Sequence, residues 1–106
     1  MLTLIEDKLE ALRQLCEKYR VERLDVFGSA TSDDFDPETS DLDFLVRFKP
    51  RREGDPRYGF GGNYFPFLRD LEYLFERKVD LVEETAMRNP YFIESVNETR
   101  QNVYAA

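Results

Sequence analysis

A small α/β (α+β) domain, a short mixed three-stranded sheet flanked by helices, is predicted by three features of this sequence. Apolar residues recur at helical spacing over residues 2–19 and again over 65–75. Three short runs, 21–28, 41–48 and 79–83, carry the apolar alternation of strands. Stretches rich in Pro, Gly, Asp and Ser separate them. At 106 residues the chain is expected to form one domain, 1–106, around a single core.

In chain order, residues 3–19 read as an amphipathic helix with Leu2, Ile5, Leu9, Leu12, Cys16 and Tyr19 on one stripe. Thr3 is placed to cap it, with Glu6 completing a capping box. "VERLDVFG" reads as a strand stopped by Gly28. Residues 29–33 can form one helical turn. "DDFDPETS", 33–40, is a loop, because Pro37 neither continues a helix nor donates to a ladder. "DLDFLVRF", 41–48, is the clearest strand: Leu42, Phe44, Val46 and Phe48 share one face, and Asp41, Asp43, Leu45 and Arg47 the other. The stretch 49–63 is irregular. A helix follows, with Asn63 as cap, Pro66 in its first turn and a stripe of Phe65, Leu68, Leu71, Leu74 and Phe75. "VDLVE", 79–83, is the third strand. The last helix opens on Asn89 as cap and Pro90 at its first position, with Phe92, Ile93, Val96 and Val103 as its stripe.

Composition excludes several chemistries. With 22 acidic and 15 basic residues the net charge is −7, which disfavours direct binding of polymeric nucleic acid. A nucleotide accompanied by metal ions remains compatible, because the metal carries the positive charge, as does a basic protein partner. The absence of histidine removes Ser-His-Asp and Cys-His catalysis and histidine-ligated zinc. One cysteine, Cys16, allows no internal disulfide and reads as a small core residue. The first residues lack a basic, then apolar, signal-peptide pattern, and no run is long enough to span a membrane. A soluble cytoplasmic protein, without membrane contact, is expected.

The chemistry that remains rests on carboxylates, hydroxyls, basic groups and metal ions. Asp41 and Asp43 are two apart on a strand, so both leave the same face about 6.5–7 Å apart at the backbone. Two carboxylates at that spacing can converge on metal ions, and magnesium suits such oxygen ligands. Without metal they repel, and at least one should hold its proton more tightly. Asp80 lies within an apolar strand, where a charge needs a partner. If 79–83 lies beside 41–48, Asp80 can reach the same ions or serve as base for an incoming hydroxyl. Gly28-Ser29 follows a strand, where glycine permits a phosphate to come close. Each feature alone also has an ordinary structural reading: Asp41 capping a turn, Asp80 at a solvated strand end, Gly28 as a turn glycine. A calcium loop starting at Asp34 fails, because Thr39 and Leu45 stand where glycine and glutamate are needed.

Taken together, "LDVFGSATS", "SDLDFLVRF" and "KVDLVEE" resemble the DNA polymerase β-like nucleotidyltransferase superfamily. The chain's size and its last residues, "RNPYFIESVNETRQNVYAA", are similar to the minimal nucleotidyltransferases paired with HEPN-domain toxins. The resemblance covers nearly the whole chain. It implies that Gly28 and Ser29 hold nucleotide phosphates and that Asp41 and Asp43 bind two Mg2+ ions. It also implies that Asp80 completes the metal site and assists the nucleophile. The implied reaction is transfer of AMP from ATP to a tyrosine hydroxyl of a cognate HEPN toxin, so that the chain acts as an antitoxin. The alternative is a catalytically silent antitoxin that neutralises the toxin by binding alone. A third option, modification of a small molecule such as an aminoglycoside, is disfavoured because relatives of that kind usually carry a further domain. One departure stands out: many relatives carry a basic residue just after Gly-Ser, where this chain has Ala30, Thr31 and Ser32. Lys49, Arg51, Arg52 and Arg57 in the 49–63 stretch could supply the charge from a loop that closes over the nucleotide, or that stretch is a disordered linker.

Overall fold

The computed structural model describes residues 3–32, 35–36, 38–50 and 62–106. Helices α1 (Thr3–Glu6) and α2 (Leu9–Lys18) lead into strand β1 (Val21–Phe27). A single 3-10 turn, Gly28–Thr31, follows, then β2 (Leu42–Phe48), α3 (Tyr64–Phe75) and β3 (Val79–Glu83). After a second 3-10 turn, Glu84–Ala86, come α4 (Pro90–Thr99) and β4 (Gln101–Ala105). The strands lie in the order β3-β2-β1-β4. β2 and β3 are parallel, while β1 is antiparallel to both β2 and β4. The sheet is therefore mixed as expected, but it has four strands rather than three.

The fourth strand corrects the reading of the C-terminus. Val103 continues the spacing of the last helix, yet α4 ends at Thr99 and Arg100 turns to extended backbone (φ −60°, ψ 137°). β4 then satisfies the β1 edge that a three-stranded sheet would leave open. The first helix is likewise divided. The Lys8 N–H bonds the Ile5 carbonyl in a tightened turn, and α2 restarts one residue later. Thr3 is the first residue of α1.

One face of the sheet carries the main core. Leu24, Val26, Leu42, Phe44 and Val46 pack there against Ile5, Leu12 and Cys16 from α1 and α2 and against Phe67, Leu71 and Phe75 from α3. The α3 stripe differs from the expected one. Residues 67, 71 and 75 follow strict i, i+4 spacing, whereas Phe65 is 58% exposed. Burial pushes the Cys16 thiol up to about 12, so it is an inert core group. Asn89 caps α4 as expected, accepting from the Tyr91 and Phe92 amides. Asn63 does not cap α3; its side-chain amide donates to the Tyr19 carbonyl at 2.7 Å. No helix among the described residues is long and apolar enough to cross a membrane.

The opposite face is smaller and carries the polar groups. Phe27, Leu45 and Val96 form a second cluster beneath α4, with Val82 and Met87 against it. Asp25, Arg47 and Glu84 share this side with Arg100 in a chain of ion pairs. Asp43 lies on it too, beyond Leu45 along β2.

Candidate active site

The end of this second face gathers most of the residues singled out in the sequence. In the parallel β2–β3 ladder Asp43 pairs with Asp80. Paired residues on neighbouring strands project to the same side, with backbones about 4.8 Å apart. The antiparallel β1–β2 ladder sets Phe27 opposite Asp43 on its other side. The next residue, Gly28, therefore turns over the carboxylate. Asp41 just precedes β2 and is exposed, as is Asp80, while Asp43 is half-buried. The ladder continues past the strand end, with the Leu42 N–H bonding the Lys78 carbonyl at 3.2 Å. Adjacency of the two strands, the condition for Asp80 to join the pair, is thus met.

Electrostatics marks Asp43 as the central group. Burial, then the charges of Asp80 and Asp41, push its carboxyl from an ordinary 3.8 up to about 6. A carboxylate in that position gains from a nearby cation. The donor set, three carboxylates on adjacent strand ends, has the hard oxygen chemistry that magnesium takes. Among the described residues no three acidic or cysteine side chains already converge as a closed metal cage.

Gly28 is required by geometry. Its φ is +73°, and a Cβ built there would lie 2.6 Å from Asp43 Oδ2. Its N–H donates to Thr99 Oγ1 at 3.0 Å, so this amide is already engaged by protein. Thr31 Oγ1 donates to the Gly28 carbonyl at 2.7 Å, and Ala30 is buried. Ser29 is half-buried in the same turn. The sequence reading did not find Thr99, which approaches Gly28 across 71 residues of chain. Gly28→Ala is expected to destabilise the fold by on the order of 2 kcal/mol, from left-handed strain plus the close contact. Thermal unfolding of the variant checks it.

The loop before Asp41 is held from two sides. The Asp36 carbonyl accepts from Ser40 N–H at 2.8 Å, and Arg77 reaches the Ser40 carbonyl at 3.3 Å while lying over the Phe35 ring. Of the basic residues expected to close over a nucleotide, Arg51, Arg52 and Arg57 lie outside the described residues. Lys49 follows β2 at the end away from Asp43, about 20 Å along the strand. There its amide bonds the Arg20 carbonyl.

Comparison with known proteins identifies the family and the fold. The family model for the "Nucleotidyltransferase domain" matches residues 9–103. A Methanocaldococcus jannaschii protein named "Putative protein adenylyltransferase" is 33% identical over 102 residues, covering 92% of this chain and 95% of its own. A second protein of that name and organism is 34% identical over 87 residues, covering 79% and 78%. Among solved structures, a "putative minimal nucleotidyltransferase" superposes with a TM-score of 0.68 at 28% identity, covering 94% of this chain and 95% of the other. The fold is shared with the Shewanella oneidensis complex of a tri-AMPylated HEPN toxin with its MNT antitoxin (TM-score 0.60, 14% identity, 95% and 72% covered). With the family model spanning nearly all of the chain, and the paired aspartates and the glycine turn at one end of its sheet, the protein belongs to the nucleotidyltransferase-domain family.

Proposed function

We propose that this nucleotidyltransferase is a magnesium-dependent protein adenylyltransferase, which transfers AMP from ATP to a tyrosine hydroxyl of a cognate HEPN toxin and so acts as its antitoxin. The observation that carries the reading is the register that sets Asp80 beside Asp43, with Gly28 folded against the same carboxylate. Relatives named as adenylyltransferases and the fold shared with an MNT antitoxin support the choice of donor and partner.

Asp41, Asp43 and Asp80 would hold two magnesium ions. When bound, these supply positive charge to the triphosphate and to the charge developing in transfer. The incoming hydroxyl oxygen forms a bond to the α-phosphorus, and the bond from that phosphorus to the bridging oxygen breaks, releasing pyrophosphate. The hydroxyl proton passes to a carboxylate, and the exposure of Asp80 supports that residue as the acceptor. Gly28 lets the phosphates approach backbone where a side chain would intrude, and Ser29 contributes its hydroxyl and amide.

A binding-only antitoxin is favoured by one observation: Ala30 is buried and the Thr31 hydroxyl is engaged by the turn itself. Neither position offers the cation that many relatives place there. The two readings separate when the protein is mixed with magnesium, labelled ATP and the product of its neighbouring gene. Label is expected on a tyrosine of the partner, and it should disappear with Asp41→Asn plus Asp43→Asn. Transfer that survives the double substitution would refute the site. A tight complex without transfer would establish the binding-only role.

A further inference from the structure

We propose that Thr99 is a positioning residue that sets the depth of the Gly28-Ser29 turn above the carboxylates, an inference whose kinetic arm rests on the nucleotidyltransferase reading above. Its Oγ1 accepts the Gly28 N–H at 3.0 Å. The same hydroxyl lies 3.5 Å from the Ser95 and Val96 carbonyls, to which it can donate, so it is fixed to the last turn of α4. That turn is itself anchored, since Val96 is 1% exposed and packs with Phe27 and Leu45. Phe92, one helical turn earlier, sets its ring edge-on to Phe27 at 6.1 Å. The helix therefore grips two successive residues, Phe27 through apolar contact and Gly28 through a hydrogen bond.

The grip acts at the tightest point of the site. Gly28 has the left-handed φ and lies close enough to Asp43 Oδ2 that no Cβ fits between them. Its donor must find an acceptor or be left unpaired in a half-buried turn. Thr99 provides that acceptor, and it does so from an element that bears none of the aspartates. If the hydroxyl is lost, the amide is expected to swing toward water and carry Ser29 with it. The carboxylates would keep their places on β2 and β3. The consequence should fall on nucleotide binding more than on the chemical step.

The test compares Thr99→Val, which keeps the branched shape, with Thr99→Ser, which keeps the acceptor. In Thr99→Val the KM for ATP is expected to rise about tenfold with a smaller change in kcat. Hydrogen exchange at the Gly28 amide, read by NMR in the metal-free protein, should quicken about tenfold, the loss of one satisfied amide. Thr99→Ser should stay close to wild type in both. Equal Gly28 exchange in Thr99→Val and wild type would overturn the proposal. So would a Thr99→Ser protein as impaired as Thr99→Val, because packing rather than the hydroxyl would then be responsible. Should wild type transfer no AMP, the proposed activity fails while the Gly28 exchange rates still decide the role of Thr99.

Discussion

Replacing Asp43 by asparagine is expected to slow transfer about a thousandfold and, in the same protein, to raise the melting temperature of the metal-free chain at pH 7. The two effects have opposite sign because the surroundings of Asp43 cost the fold when its carboxylate is ionised and, in the proposed function, favour a bound cation. Burial and the charges of Asp80 and Asp41 raise its carboxyl from 3.8 to about 6. The folded state thus binds this proton more tightly than the unfolded chain does. The resulting contribution to stability is complete below about pH 4 and is lost as the pH rises through 6. At pH 7 the ionised group is a net burden of about 2 kcal/mol, allowing for its partial contact with solvent. Asparagine removes the charge and keeps the shape, so most of that burden should be relieved, and the advantage should vanish near pH 4. Activity runs the other way under the proposed function, in which losing Asp43 as a ligand of a two-ion site is expected to cost on the order of 10³-fold in rate, about 4 kcal/mol. Magnesium should raise the melting temperature of wild type at pH 7.5, raise it much less at pH 5, and leave Asp43→Asn nearly unmoved. Melting curves with and without magnesium across pH check all three. A metal-free Asp43→Asn protein less stable than wild type at pH 7 would show that the carboxylate holds the fold together instead.

How legible the molecule was in its sequence differs from element to element. The strand 41–48 could be read almost directly, because its alternation admits only one assignment of faces and so sets Asp43 with Leu45 and Arg47; β2 begins one residue later than read, at Leu42, with Asp41 just before it. Asp80 could be read only conditionally. Its partnership with Asp43 depends on a parallel pairing across α3, which no local pattern encodes. β4 was hidden by a coincidence of spacing: Val103 falls seven residues after Val96, as a helix would place it, and the segment offers only Val103 and Tyr104 as half-buried apolar groups. An edge strand of that kind acquires its identity from the β1 edge it covers. Phe67 was passed over for Phe65 because both aromatics flank Pro66, and only the packed core distinguishes them. Asp25 is the instructive omission. The argument that a carboxylate within an apolar strand needs a partner was applied to Asp80, which is exposed, and applies with more force to Asp25, which is 1% exposed. Arg23, two residues before it on the same face, was the available signal.

Asp25→Ala is accordingly expected to be the most destabilising single change on the second face of the sheet. Its carboxylate accepts from Arg100 Nε at 2.7 Å, Asn102 Nδ2 at 2.9 Å and Arg23 Nε at 3.2 Å. Burial pushes its pKa up, but these hydrogen bonds together outweigh burial and hold it below the usual value. Arg100 also pairs with Glu84 at 2.6 Å, and Arg47 binds the other oxygen of Glu84. Removing Asp25 leaves Arg100 with Glu84 and with Asn97, whose Oδ1 accepts from Nη1 at 3.0 Å. Truncating one member of a buried pair costs about 3–5 kcal/mol, and the remaining contact with Glu84 places the expectation near the lower end. For a chain of this size, about 3 kcal/mol lowers the melting temperature by roughly 12–20 °C. The exposed Arg13–Glu10 pair on α2 is the natural control, and Glu10→Ala should leave the melting temperature unchanged within error. The sign with pH also follows. Because the folded pKa of Asp25 is depressed, its contribution is present above its ordinary value of 3.8 and is lost as the pH falls below it. The gap between wild type and Asp25→Ala should therefore be widest near neutrality and close in acid, the reverse of the Asp43→Asn series only in sign. The network ties Arg100 and Asn102, which lie at the α4–β4 junction, to the middle of β1. Thr99 is the neighbour of Arg100 in that junction. Loosening it should thus also quicken exchange at the Gly28 amide, a coupling that a purely local cavity at position 25 would not produce.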